Sequence, residues 1–265
     1  MFDLVLAAAL QTPPAREVPP PDDIVVTGLR DIDDPESAVT RRTLGSGRNG
    51  VAARRSRSVF QLAQRFADCA IRVDRAANRD RLRKALDGVV NGASQRFWQM
   101  RFVQQTSTCA QDVGIAQRDG ISTIAPGLDT SYYERGAMFV RALRLFAPDL
   151  RLTKAQTADA AVQARFNARE VPLARFRLPV DRRYFETAVC VVRLQPELAS
   201  RLIAVDDADS VARIEATMIN GAKPCVGNAR KVYFDPSQFR FYIADALYRW
   251  AVAAQGVTSL VPAGD

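Results

Sequence analysis

The chain has 265 residues, 48% of them hydrophobic and 25% charged, an ordinary balance for a globular protein with room for one large or two small domains. Its net charge of +8 comes mainly from arginine, because only four of the 37 basic residues are lysines. Histidine is absent, which excludes Ser-His-Asp and Cys-His catalysis and most mononuclear zinc enzymes.

The first ten residues read as a secretory-type leader. Leu4 to Leu10 is an apolar run, Ala7-Ala8-Ala9 offers a small-residue cleavage site, and Thr12-Pro13-Pro14 stops any helix. The usual basic start is missing, since Met1-Phe2-Asp3 carries no Lys or Arg. No later run approaches the ~20 apolar residues of a membrane span.

Residues 11–57 read as a disordered linker, with Pro13, Pro14, Pro19, Pro20 and Pro21, an acidic stretch from Asp31 to Glu36 and a glycine-rich stretch from Gly45 to Gly50. Gly45-Ser46-Gly47-Arg48-Asn49-Gly50 fits G-x-G-x-x-G, but Thr40-Arg41-Arg42-Thr43 stands where a dinucleotide site needs a buried strand. It is flexible linker on this reading. Arg41, Arg42, Arg48, Arg54, Arg55 and Arg57 form the densest basic stretch. Arg54, Arg55 and Arg57 adjoin the first expected helix and are the candidate anion-binding residues; a solvated tether is the plain alternative.

Two similar units follow, at 58–151 and 184–255, joined by a connection at 152–183 that is expected to be part helical and part extended. Phe66-Ala67-Asp68-Cys69-Ala70-Ile71-Arg72 reads against Thr187-Ala188-Val189-Cys190-Val191-Val192-Arg193, and each leads through a helical region to a second cysteine, Cys109 or Cys225. Each then reaches an amphipathic segment, Phe139 to Ala147 or Ile243 to Ala251. In the first unit, Val59, Phe60, Leu62, Ala63, Phe66, Ala67 and Ala70 recur at helical spacing, a second helix is expected over 75–90, and a third over 94–104 around Phe97, Trp98, Phe102 and Val103. The stretch 110–129 reads as loop with one short strand. In the connection Thr157 is a candidate cap. In the second unit helices are expected over 184–193, over 197–204, from an Asp209 or Ser210 cap through Ile219, and from Pro236 or Ser237 onward. The fold class is therefore mainly α, two tandem helical repeats. Four cysteines allow three pairings, and equivalent positions in the two units favour Cys69 with Cys109 and Cys190 with Cys225; four reduced core thiols are the alternative.

Asp22-Asp23-Ile24-Val25-Val26-Thr27-Gly28 resembles the TonB box of TonB-dependent outer-membrane receptors, which implies strand pairing with a periplasmic energy transducer. No plug or β-barrel sequence follows it, so a transport role is not implied. The Cys-x-x-Arg start, helical middle, second Cys and Ala246-Leu247-Tyr248-Arg249 close resemble uncharacterised exported proteins of alphaproteobacteria. In the first unit Ala142-Leu143-Arg144-Leu145 takes the place of that close. The resemblance implies export and brings no activity with it.

For chemistry there remain carboxylates. Asp206, Asp207 and Asp209 cluster beside Ser210, where capping explains them, and Glu134 and Glu186 read as ion-pair partners of nearby arginines. No catalytic residue, metal site or cofactor is expected. The function class expected is a periplasmic or secreted binding or envelope-associated module, with a carboxylate-dependent envelope enzyme acting on glycan as the alternative. The expected partner is an envelope protein, or an anionic lipid or lipopolysaccharide, in preference to nucleic acid.

Overall fold

The computed structural model describes residues 61, 63–71, 76–105, 109, 132–225 and 236–264. The leader, the linker with Arg54, Arg55 and Arg57, the TonB-box-like string and the stretch 110–129 lie outside the described residues. Among the described residues every regular element is helical. The helices are α1 (63–71), α2 (Ala76–Asp87), α3 (Ala93–Gln105), α4 (Tyr132–Phe146), α5 (Lys154–Ala158), α6 (Ala160–Leu173), α7 (Pro179–Leu194), α8 (Pro196–Ala204), α9 (Ala208–Gly221) and α10 (Pro236–Gln255), with a 3-10 turn at Lys223–Cys225.

Local chemistry sets most of these boundaries. Proline is the first residue of α7, α8 and α10, where its missing N–H is unneeded and its fixed φ already suits a helix. Asp207 begins α9 by accepting the Ser210 N–H at 2.8 Å, so the cap lies two residues before the expected Asp209. Serial hydrogen bonds to backbone and side chain of Ser210 hold the Asp207 carboxyl below its ordinary value. The connection is mostly helical, with extended backbone at Asp159 and Leu178. Thr153 and Gln156 form a reciprocal capping box on α5, and Asp159 caps α6 through the Val162 N–H at 2.8 Å. The expected cap Thr157 is instead buried and donates its hydroxyl to the Arg193 carbonyl at 2.8 Å, tying the connection to the end of α7. Gly256 ends α10 with φ +67°, and the Val257 N–H reaches back to the Val252 carbonyl at 3.2 Å.

The two halves share one order: a helix with a cysteine, two further helices, a second cysteine, then a closing helix. Cys69 of α1 is bonded to Cys109, and Cys190 of α7 to Cys225, with Cα atoms 5.6 Å apart in each pair. The favoured pairing is the one formed. Each bridge fastens a cysteine-bearing helix, α1 or α7, to a cysteine that precedes α4 or α10 in the chain.

The closing helices form the centre. Every residue of α10 from Gln238 to Ala253 is buried, because α4, α6, α7 and α8 pack around it. The helix is enclosed on all sides, and Gln238, Arg240, Asp245 and Arg249 are buried along with its apolar residues. Trp250 stacks on Phe166 of α6 with centroids 4.2 Å apart, and Tyr242 stacks on Tyr184 of α7 at 5.5 Å. On α1 and α2 the residues Ala63, Phe66, Ala67, Ala70, Leu82, Ala85 and Leu86 are buried as their spacing predicts. The C-terminal tail folds back to bury Leu260 and Val261.

Gly136 sets how closely α4 approaches α10. A Cβ placed there would fall 2.4 Å from Cγ of Phe241, a ring that is itself fully buried. Replacing Gly136 with Ala therefore forces the two closing helices apart. We expect Gly136→Ala to lower the unfolding free energy by about 1 to 3 kcal/mol in denaturant titration, despite alanine's better helix propensity.

Candidate functional site

The sequence of α10 sets a physical problem. Asp245 and Arg249 lie one turn apart on a helix that is buried throughout, and a guanidinium does not lose its proton to escape burial. Partners must therefore be brought to it. Arg249 Nε donates to Asp245 Oδ1 at 2.5 Å, Nη1 to Glu170 Oε2 at 2.5 Å and Nη2 to the Leu86 carbonyl at 3.4 Å. The other oxygen of Asp245 accepts from Arg177 Nη2 at 2.7 Å, and Arg177 Nη1 turns to Asp181 Oδ2 at 3.1 Å. Asp181 also accepts from the Tyr242 hydroxyl at 2.8 Å and lies 3.8 Å from Arg135 of α4. The Arg177 guanidinium rests over the Phe185 ring, 3.7 Å from its centroid.

The network continues outward. Arg169 pairs with Asp87 of α2 at 2.6 Å, and Asp87 also accepts from the Tyr248 hydroxyl at 3.3 Å. Tyr248 in turn accepts the Leu260 N–H at 3.2 Å, which pins the C-terminal tail. Burial and the Asp87 charge push the Tyr248 phenol above its usual range, so it stays a neutral donor.

Arginines 135, 169, 177 and 249 thus face carboxylates 87, 170, 181 and 245, and the cluster is neutral. It has no surplus charge for a ligand. Burial pushes the Asp245 carboxyl up, but the guanidiniums of Arg249, Arg177 and Arg135 outweigh it and hold the group at about 2. The two carboxylates of Arg249 overcome its burial in the same way and raise its pKa.

A second pair of arginines closes a helix end. Arg144 of α4 donates to the carbonyls of Ile203 at 2.7 Å and Val205 at 3.2 Å, and pairs with Asp206 at 2.7 Å. Arg240 of α10 also donates to the Val205 carbonyl. Both neutralise the negative end of α8, where carbonyls lack partners of their own. Burial, with Arg144 close by, lowers the Arg240 pKa to about 10.

The other carboxylates singled out in the sequence have similar work. Asp206 belongs to the α8 clamp, Asp207 is a cap, and Glu186 accepts from Arg182 at 2.8 Å. Asp209 lies in the exposed first turn of α9. The side chain of Glu134 lies outside the described ones. A cleft of about 400 Å³ opens between the end of α4 and the end of α10, lined by Phe146, Asp149, Leu150, Arg151 and Gln255 among others. It holds a single carboxylate. Among the described residues no group of His, Cys, Asp and Glu could hold a metal ion, and no helix is long and apolar enough to cross a membrane.

One outer surface is unusual. Helix α3 buries Gln95 and Gln99, whose amides bond each other at 2.7 Å, and Gln95 also donates to the Ala85 carbonyl at 3.1 Å. The same helix leaves Phe97 47% and Met100 49% exposed. Helical spacing alone places Phe97 with the core residues, and the structure places it outside. Comparison of the chain with protein-family models, with curated proteins and with solved structures finds no match in any of the three.

Sequence reasoning passed over the central network. Its signal was present in two four-residue spacings, Arg177 with Asp181 and Asp245 with Arg249, and in the Tyr248-Arg249 pair of the closing motif.

Two outcomes follow for this cluster. Removing Arg249 leaves Asp245 with Arg177 and Glu170 with Arg169 but one buried negative charge unbalanced, so Arg249→Met is expected to lose about 3 to 5 kcal/mol of stability in urea melts. Asp245 is ordinarily near 3.8 and sits at about 2 when folded, so it stabilises the fold above that ordinary value. That contribution, about 2 kcal/mol, is lost as pH falls from about 4 towards 2. Acid titration of stability is expected to show this slope in the natural chain and a shallower one in Asp245→Asn.

Proposed function

We propose that the protein is an exported, disulfide-clamped helical module that works in the cell envelope by binding and not by catalysis. The observation that carries this reading is the employment of its carboxylates. Among the described residues, the carboxylates of the central network are held by guanidinium groups, Asp159 and Asp207 are caps, and the cleft beside the end of α4 presents Asp149 alone. Glycan hydrolysis needs two carboxyl groups facing one substrate, one of them able to carry a proton at neutral pH. Asp245, held at about 2, is the opposite of such a group.

Export is supported by the two disulfides, since such bonds persist in oxidising compartments and are rare in the cytosol. They close loops of 40 and 35 residues, each worth about 4 kcal/mol of denatured-state entropy in the chain-entropy model. The matched order of helices and cysteines supports reading the two units as a tandem repeat.

The test is fractionation of cells producing the full chain, followed by thiol labelling and in-cell cross-linking. We expect the chain outside the cytosol, with no thiol labelled before reduction and with a defined envelope component attached. Fully labelled thiols in a cytosolic fraction would remove the export reading. Release of soluble fragments from purified peptidoglycan, abolished by Asp149→Asn, would replace binding with the glycan-enzyme reading.

A further inference from the structure

We infer that the outer face of α3 is a contact surface for an anionic phospholipid bilayer, an inference that rests on the envelope-associated function proposed above. The residues Ala93–Gln105 form a helix whose inward side is fixed by Gln95, Gln99 and Phe102. At 100° per residue the opposite side carries Phe97 and Met100 at its middle, with Arg101 on one flank and Arg96 on the other; all four are exposed. The helix contains no acidic residue. Trp98 sits beside Phe97 with ring centroids 5.1 Å apart, and the Lys84 ammonium lies 4.2 Å from the Trp98 ring centroid.

A further exposed aromatic lies beyond the start of the helix. Asn91 donates to the Phe176 carbonyl at 3.3 Å, which places the turn before α7 against the turn before α3. Phe176 is 52% exposed, with the Arg175 guanidinium 4.7 Å from its ring centroid. Aromatic and Met side chains bordered by arginine and lysine have the composition of helices that lie in the interfacial plane of a membrane. Apolar side chains enter the acyl boundary while guanidinium groups pair with lipid phosphates. Phe97 and Met100 are exposed on the outer side of the helix, so a flat, deformable, negatively charged surface accommodates them. Arg54, Arg55 and Arg57 are not required on this account.

The experiment is co-sedimentation of the full chain with vesicles of phosphatidylcholine containing phosphatidylglycerol, and with phosphatidylcholine alone, at low and high salt. Trp98 serves as the reporter, because the chain's other tryptophan, Trp250, is buried against Phe166. Binding is expected to the anionic vesicles, with Trp98 emission shifted to shorter wavelength and quenched by doxyl-labelled acyl chains, and to fade as salt rises. Arg96→Ser with Arg101→Ser is expected to weaken binding roughly thirtyfold. Phe97→Ser with Met100→Ser is expected to weaken it at least about tenfold and to abolish acyl-chain quenching. All four positions are exposed, and unchanged thermal unfolding will show that the variants fold.

Three results would overturn the inference. One is no binding at low salt. Another is binding that survives both α3 double variants and is lost on replacing Arg54, Arg55 and Arg57. The third is a lipid-independent dimer that buries Trp98 and dissolves on Phe97→Ser with Met100→Ser. None of the three touches the export and binding reading, which stands on thiol state, location and the attached envelope component.

Discussion

Burial of the Arg249 guanidinium is the constraint around which the remaining structure is arranged. A cation that keeps its proton, placed where the helix is enclosed on every side, is tolerable only if carboxylates and carbonyls occupy nearly all its donor directions. That requirement fixes five helices at once. Glu170 positions α6, the Leu86 carbonyl positions the end of α2, and Asp245 passes the demand to Arg177, which passes it to Asp181 of α7. Arg135 brings in α4. The arrangement is not a source of large net stability, because buried ion pairs barely repay their desolvation. Arg135 Nη1 and Arg177 Nε even find no acceptor among the described residues. Its effect is selective: a packing that displaces any one of these helices leaves a bare charge in the core, so alternatives are excluded more strongly than the native state is favoured.

The covalent and steric restraints act where this network does not reach. One disulfide holds Cys109 to α1 and the other holds Cys225 to α7, and neither links α4 to α10. Gly136 lets them meet with the Phe241 ring against the α4 backbone. Arg144 and Arg240, one from each closing helix, then converge on the same carbonyl at the end of α8. Helix α8 is thereby oriented by charge at its C-terminus and by Pro196 at its start, although it is only nine residues long.

Much of this was legible in the sequence because it follows from local periodicity. The buried faces of α1 and α2 and the proline starts of α8 and α10 depend on residues near one another, and the cysteine pairing on the matched order of helices and cysteines along the chain. What was not legible depends on choices among equivalent residues or on distant partners. Asp207 and Asp209 are both competent caps, and the route of the chain out of α8 decides between them. Thr157 resembles a cap until the end of α7 supplies the Arg193 carbonyl for its hydroxyl. A charged residue reads as surface unless its partner is known, and Arg249 has its second carboxylate 79 positions away.

The orientation of α3 shows the same distinction at the surface. Rotating this helix by half a turn would bury Phe97 and Met100 in exchange for Phe102 and two glutamines, which the hydrophobic effect alone favours. The observed orientation is held by hydrogen bonds: the Gln95 amide bridges the Ala85 carbonyl, the Asn91 N–H and Gln99, and their loss in a buried setting would leave polar groups unsatisfied. Asn91, at φ +59°, sets the turn that presents its N–H to that glutamine. The sequence therefore commits polar chemistry to keeping aromatic and thioether side chains in solvent, against the simplest solution for a solitary domain. Contiguous apolar exposure bordered by cations has its physical rationale in a second phase or partner that covers it.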